Sequence, residues 1–240
     1  LMGTLQRLYD KCIQRLKSNT EKEESTATYI RDTYDHGPAP YYDLWNVHSA
    51  ITRDAFFSFC EDSAQLQLFS TDMETLLHEI TALEQWIPRW KQELKESQGS
   101  AFPSSFVHGD LVTDNFLCDE KDERVTAVLD FEFVGVDWRI MELATCISKF
   151  PEEADPMINL RLFIGGFREA RQVKLEKREI DALPNMISLR VLSNVIYFVG
   201  RAISGEADIN ELTGRIPGYC CRLKWLGDEV NRAALTALFD

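Results

Sequence analysis

Cations are the scarce charge in this sequence. Its 240 residues hold 26 Lys and Arg against 39 Asp and Glu, a formal net charge of −13. A surface that tracks nucleic-acid phosphates needs clustered Lys and Arg, so no nucleic-acid partner is expected. The acidic excess fits a solvated surface and is also compatible with a cationic small-molecule substrate. Metal-type cysteine pairs are missing too. Cys12, Cys60, Cys118, Cys146, Cys220 and Cys221 form no CxxC and no Cys/His pair at zinc spacing. They read as reduced thiols that pack as small hydrophobes, the adjacent Cys220 and Cys221 included, and a cytoplasmic location is the expectation. Long apolar runs are absent as well. No charged-then-apolar leader opens the chain and no apolar 18-mer is uninterrupted. The nearest candidate, "MISLRVLSNVIYFVGRAISG", is broken by Arg190, Asn194 and Arg201 and reads as a buried helix. No membrane partner is expected.

What is present is ordinary for a globular protein: 45% hydrophobic and 27% charged residues. A chain of this length can bury roughly 70–75% of its unfolded surface, in one or two domains. Leu5, Leu8, Cys12, Ile13 and Leu16 have helical spacing, and a polar stretch follows that ends in Gly-Pro-Ala-Pro. The start on Leu, with no run-in to this helix, suggests a chain cut from something longer, with Met2 as the alternative start. A second helical segment is expected from Tyr41 to Cys60. A long helix should begin at Ser70–Asp72, with Met73, Leu76, Leu77, Ile80, Leu83, Ile87, Trp90 and Leu94 on one face and a kink at Pro88. Between Phe106 and Val134 the period changes to short β-rich runs, "SFVH", "NFLC" and "VTAVLDF". The last two are separated by the charged "DEKDER", which predicts a hairpin with a polar tip. Helices return from Trp138, then from Pro156 to about Arg171, from Glu176 to Ser204 with an interruption near Pro184, and from Gly218 to Leu238. The expected class is α+β, mostly α-helical, with one small central β-hairpin and no internal repeat.

Chemistry is expected where polar residues interrupt that β segment. Asp110, Asn115 and Asp130 are oxygen donors beside apolar strands. A hairpin that begins at Asn115 and ends at Asp130 brings its open ends together. An amide oxygen and a carboxylate so placed suit Mg2+, which fills the rest of its shell with phosphate oxygens and water. Asp110 would then be free to accept a proton from an attacking hydroxyl. The order is that of a phosphoryl-transfer loop: an Asp base, an Asn five positions on, then a second metal Asp opening an Asp-Phe dipeptide. Here it reads His108-Gly109-Asp110-Leu111-Val112-Thr113-Asp114-Asn115, followed by Leu129-Asp130-Phe131-Glu132.

The stretch from His108 to Lys149 resembles the aminoglycoside phosphotransferase / choline kinase superfamily of small-molecule kinases. "VLDFEFVGVDWRIMELATCISKF" is most similar to its homoserine kinase type II-like branch. The resemblance implies a protein-kinase-like C-terminal lobe over residues 1–240, with Asp110 as catalytic base and His108 bracing the loop. Asn115 and Asp130 become the ligands of the Mg2+ that bridges the ATP phosphates, and so bind the nucleotide through the ion, and Glu132, where many relatives have glycine, a further metal or substrate contact. The acid before Leu-Ala, usually Asp, is Glu142 here. The family also places an ATP-binding N-terminal lobe before this region. The sequence has no GxGxxG after a strand and no GxxxxGK[ST], and "FIGGF" at Phe163–Phe167 reads as helix packing. The missing lobe is therefore expected in the full-length protein, or the chain is a degenerate relative.

The resulting expectation is an ATP- and Mg2+-dependent kinase acting on a hydroxyl of a small molecule such as homoserine, an aminoglycoside or an amino alcohol. The alternative is a non-catalytic kinase-fold binding or regulatory module. A metal-dependent phosphohydrolase would need further His and Asp ligands. Blander roles fall to the rest: Asp114 as a solvated loop residue, Asp137 as helix N-cap before Trp138, and Trp86 and Trp90 as core. Tyr41, Tyr42 and Trp45 are core packing or a cation pocket. His36, His48 and His78 have no ligand spacing.

Overall fold

The computed structural model describes residues 40–96, 102–119, 124–170 and 174–240. The expected first helix, the polar stretch after it, Cys12, His36 and the hairpin tip lie outside the described residues. Three helices open the fold: α1 (Arg53–Asp62), α2 (Ala64–Gln67) and α3 (Ser70–Glu96). Thr52 and Ser63 cap the first two by accepting the amides of Ala55 and Leu66. The expected helix from Tyr41 to Cys60 is instead a single turn at Leu44–Asn46 followed by α1. On α3 the apolar stripe is buried as its spacing predicts, from Met73 to Trp90, and the helix runs on through Pro88.

Four strands follow: β1 (Ser104–Val107), β2 (Phe116–Asp119), β3 (Arg124–Val128) and β4 (Gly135–Trp138). The pair β2–β3 is the expected hairpin, with Phe116 opposite Val128 and a register shift between Leu117 and Cys118. The other antiparallel pair, β1–β4, sets Val107 opposite Gly135 and Ser104 opposite Trp138. The reading of Trp138 as helical is thereby corrected. It ends a strand, and the next helix, α4 (Ile140–Ile147), starts two residues later.

The remaining helices are α5 (Pro156–Ala170), α6 (Lys177–Ser204), α7 (Ile209–Thr213), α8 (Ile216–Gly227) and α9 (Glu229–Thr236). Every residue of α4 is buried, and it packs along α6. By length and composition α6 could cross a membrane, but most of that stretch is buried among the other helices. The expected break near Pro184 does not occur. A proline inside a helix costs about 3 kcal/mol, whereas burying Leu183, Met186 and Ile187 returns about 1.5–3 kcal/mol each. Packing wins. Trp86, expected in the core, is 46% exposed.

Candidate active site

Gly109 begins the site with φ +80°, a left-handed conformation that side chains resist. A Cβ there would lie 2.4 Å from the Phe133 carbonyl oxygen. The loop after β1 therefore rests directly on the backbone of the turn that follows Asp130. His108, fully buried, ties the same two segments together. Its Nδ1 accepts the Asp110 amide at 3.3 Å, and its Nε2 donates to the Leu129 carbonyl at 2.9 Å. Both bonds at once require the neutral ring with its proton on Nε2. Beneath it, Glu142 Oε2 accepts the His108 amide at 2.5 Å. Burial pushes the Glu142 carboxyl up to about 7 despite that bond. The acid that departs from the family pattern thus still holds the loop's backbone.

Asp110 is gripped from two sides. Asn115 Nδ2 donates to its carbonyl at 2.8 Å and to Oδ2 at 3.1 Å. Arg190 Nη2, from the middle of α6, meets Oδ1 at 2.7 Å. Arg190 also bonds the side chain of Asn194 and lies 5.0 Å over the ring of Tyr41. The hairpin brings the other candidates close as expected: the Leu129 amide donates to the Asn115 carbonyl at 2.9 Å, one residue before Asp130. Asp130 itself has φ +61°, a left-handed backbone that Asp tolerates better than most residues. Asp130 and Glu132 are exposed, and neither carboxylate has a hydrogen bond or ion pair with the described residues.

Asp110, its partners Asn115 and Arg190, and Glu132 border a cavity of about 330 Å³. Asp110, Asn115, Glu132 and Phe133 form one side, and Arg190, Tyr197 and Arg201 of α6 face it from another. His108 and Asp130 are not among the lining residues. Asp114 lies at the rim and is less free than expected: Lys149 Nζ meets its carboxylate at 2.8 Å and holds it below the usual carboxylate range.

One reading is corrected. Asp137 caps no helix. It sits in β4 opposite Ser105 and is buried, where its carboxylate accepts the amides of Tyr41 at 3.0 Å and Trp138 at 2.6 Å. Burial pushes it up to about 7. The aromatic trio packs against the core, the first of the two roles expected for it. Tyr42 packs on Trp138 and Trp45 on Phe56 and Phe57, while the Tyr41 ring is occupied by Arg190. Tyr41 donates its hydroxyl to the Gly109 carbonyl, and burial raises that phenol to about 12.

Arg190 is the site residue that sequence reasoning missed, having counted only as a break in an apolar run. A buried cation in a core helix requires an anionic partner, and that requirement was the available signal.

The mostly helical fold with its small antiparallel pairs, and the order of its motifs, resemble those of kinase-like small-molecule phosphotransferases. Residues 60–176, a segment that holds His108 to Glu142, match the model of the phosphotransferase enzyme family (APH). Over 96 residues the chain is 34% identical to a homoserine kinase of Methylobacterium nodulans, covering 38% of this chain and 28% of that one. Over 161 residues it is 27% identical to a homoserine kinase of Bartonella henselae, covering 56% and 49%. The chain thus spans about half or less of these relatives. Solved structures with a similar course include a choline/ethanolamine kinase family protein from Mesorhizobium loti (TM-score 0.45, 12% identity, 85% of this chain and 59% of that one). Another is amicoumacin kinase hAmiN in complex with AMP-PNP, Ca2+ and Ami (TM-score 0.42, 15% identity, 68% and 49%).

Proposed function

We propose that this chain is the C-terminal, catalytic lobe of an ATP- and Mg2+-dependent kinase that phosphorylates a hydroxyl group of a small molecule in the cytoplasm. The observation that carries the reading is the Asp110–Asn115 pair. The amide N–H of Asn115 is spent on Asp110, so its Oδ1, which has no hydrogen bond with the described residues, is left for a hard cation. Asp130 and Glu132 add two carboxylates that have no ion pair with the described residues. One amide oxygen and two carboxylates fit a Mg2+ whose remaining ligands are phosphate oxygens and water. When bound, that ion neutralises charge on the transferred phosphoryl group.

Asp110 has the role of orienting the acceptor hydroxyl and taking its proton. Its carboxylate is fixed on one oxygen by Arg190 and on the other by Asn115, so most of the catalysis is positioning. His108 supports this from behind, through the backbone of Asp110. Because the matched relatives are homoserine kinases, homoserine is the first acceptor to assay. Asp110→Asn in the full-length protein is expected to lower ADP release by at least about 100-fold while the protein still unfolds in one cooperative transition, at a lower midpoint because Arg190 loses its anionic partner. A near-normal rate in that variant would remove Asp110 from the chemistry.

A further inference from the structure

The cavity beside Asp110 inverts the charge balance of the chain. Five cations and four acids line it, in a protein with 26 cations against 39 acids. Three of the five cations are committed: Lys149 to Asp114, Arg190 to Asp110, and Arg222 to Glu152. Two are not. Arg201 reaches Glu211 only at 3.8 Å, between partly exposed groups where a pair contributes little. Arg215 has no ion pair with the described residues. Its guanidinium lies 4.4 Å from the ring centre of Phe198, and that of Arg201 lies 5.8 Å from the same ring.

Phe198 itself lines the cavity. An aromatic ring against a guanidinium restrains the planar fork without consuming its N–H donors. Arg190, 7% exposed on the same cavity, keeps its Nε without a partner among the described residues. Guanidinium forks match carboxylate and phosphate oxygens in pairs. Asp130, the ligand expected nearest the nucleotide phosphates, does not line this cavity, which runs from Asp110 toward α6 and α8 instead.

We infer that the acceptor carries an oxyanion, a carboxylate or a phosphate, held by Arg201 and Arg215 around Phe198 while its hydroxyl faces Asp110. The hydroxyl end rests on the kinase reading; the anion end does not. The net charge of −13 offers no counterweight, because dispersed surface charges are screened within about 10 Å whereas these arginines act at contact.

Calorimetric titration of the full-length protein without nucleotide tests the anion end directly. The probes are glycerate, glycerol 3-phosphate and inorganic phosphate, with glycerol and ethanolamine as neutral and cationic comparators. At least one oxyanion is expected to bind ten-fold or more tightly than either comparator. Arg215→Gln should weaken that binding about 10- to 100-fold, the range for a lost charged hydrogen bond. Arg53→Gln, which removes an exposed cation on α1, should leave it unchanged. Glycerate against the two phosphate probes separates a carboxylate site from a phosphate site. No oxyanion binding, tighter binding of ethanolamine, or an unaffected Arg215→Gln overturns the inference.

In the full-length protein, Arg215→Gln should raise KM for the acceptor and not for ATP. The reverse would assign the arginines to the nucleotide and also overturn it. The two proposals fail separately. Arg215-dependent oxyanion binding without phosphorylation of any acceptor sinks the kinase reading and leaves the subsite. Phosphorylation confined to amino alcohols does the opposite.

Discussion

His108 spends both ring nitrogens on backbone, one on Asp110 and one on Leu129, in a position with no solvent access. Truncation to alanine takes the partner from the partly buried Leu129 carbonyl and Asp110 amide and opens a void under Asp110. His108→Ala is expected to cost about 2–4 kcal/mol of unfolding free energy in urea. Because the ring acts through backbone rather than on substrate, kcat should fall while KM for acceptor and ATP moves little. A rise in KM with unchanged kcat would instead put His108 at a binding surface. Candidates of this kind rest on spacing alone: Asp110, Asn115 and Asp130 follow one another at the intervals a phosphoryl-transfer loop uses, and Glu132 stands where that motif often has glycine. Arg190 was not legible in that way, because its partner Asp110 stands 80 positions away and a lone sequence carries no record of that pairing.

Among elements, the hairpin β2–β3 was visible because two β-rich runs flank a charged tip, and α3 because its apolar stripe keeps a helical period. Strand β4 was not. Its four residues pair with β1 across 27 intervening positions, and nothing local distinguishes "GVDW" from the start of the next helix. The junction after β4 depends on a second long-range pair. Arg139 meets Glu179 through two hydrogen bonds of 2.8 and 2.6 Å, and Glu179, fully buried, also accepts the Glu176 amide in a capping box at the start of α6. Removing one partner of a buried pair strands the other charge. Glu179→Ala should therefore destabilise the fold by about 3–5 kcal/mol. Lys177→Ala, which breaks the exposed pair with Asp181 two residues earlier, should change it by less than about 0.5 kcal/mol. Comparable urea midpoints for the two variants would show that the Arg139 pair does not anchor α6.

At the scale of the molecule, the floor of the site sets a pH dependence of stability. Asp137 and Glu142 each have a folded pKa of about 7, raised by burial, against values near 4 in an unfolded chain. Between those limits the folded state binds more protons than the unfolded state, so stability falls as pH rises. The loss is absent below pH 4 and complete about one unit above pH 7, and it amounts to roughly 4 kcal/mol for each group. Asp114, held low by Lys149, acts in the opposite sense, but it is exposed and its effect is screened. The overall charge of −13 also disfavours the compact state at higher pH. The comparison that isolates the buried pair is with Asp137→Asn/Glu142→Gln, in which each amide oxygen can still accept a backbone N–H. Unfolding free energy of the native sequence minus that of the double variant should decline from pH 4.5 to about pH 8 and then level off. A flat difference across that interval would mean that neither carboxyl holds its proton in the folded protein, and that Tyr41, which Asp137 anchors beside Asp110, is held by a charged carboxylate throughout.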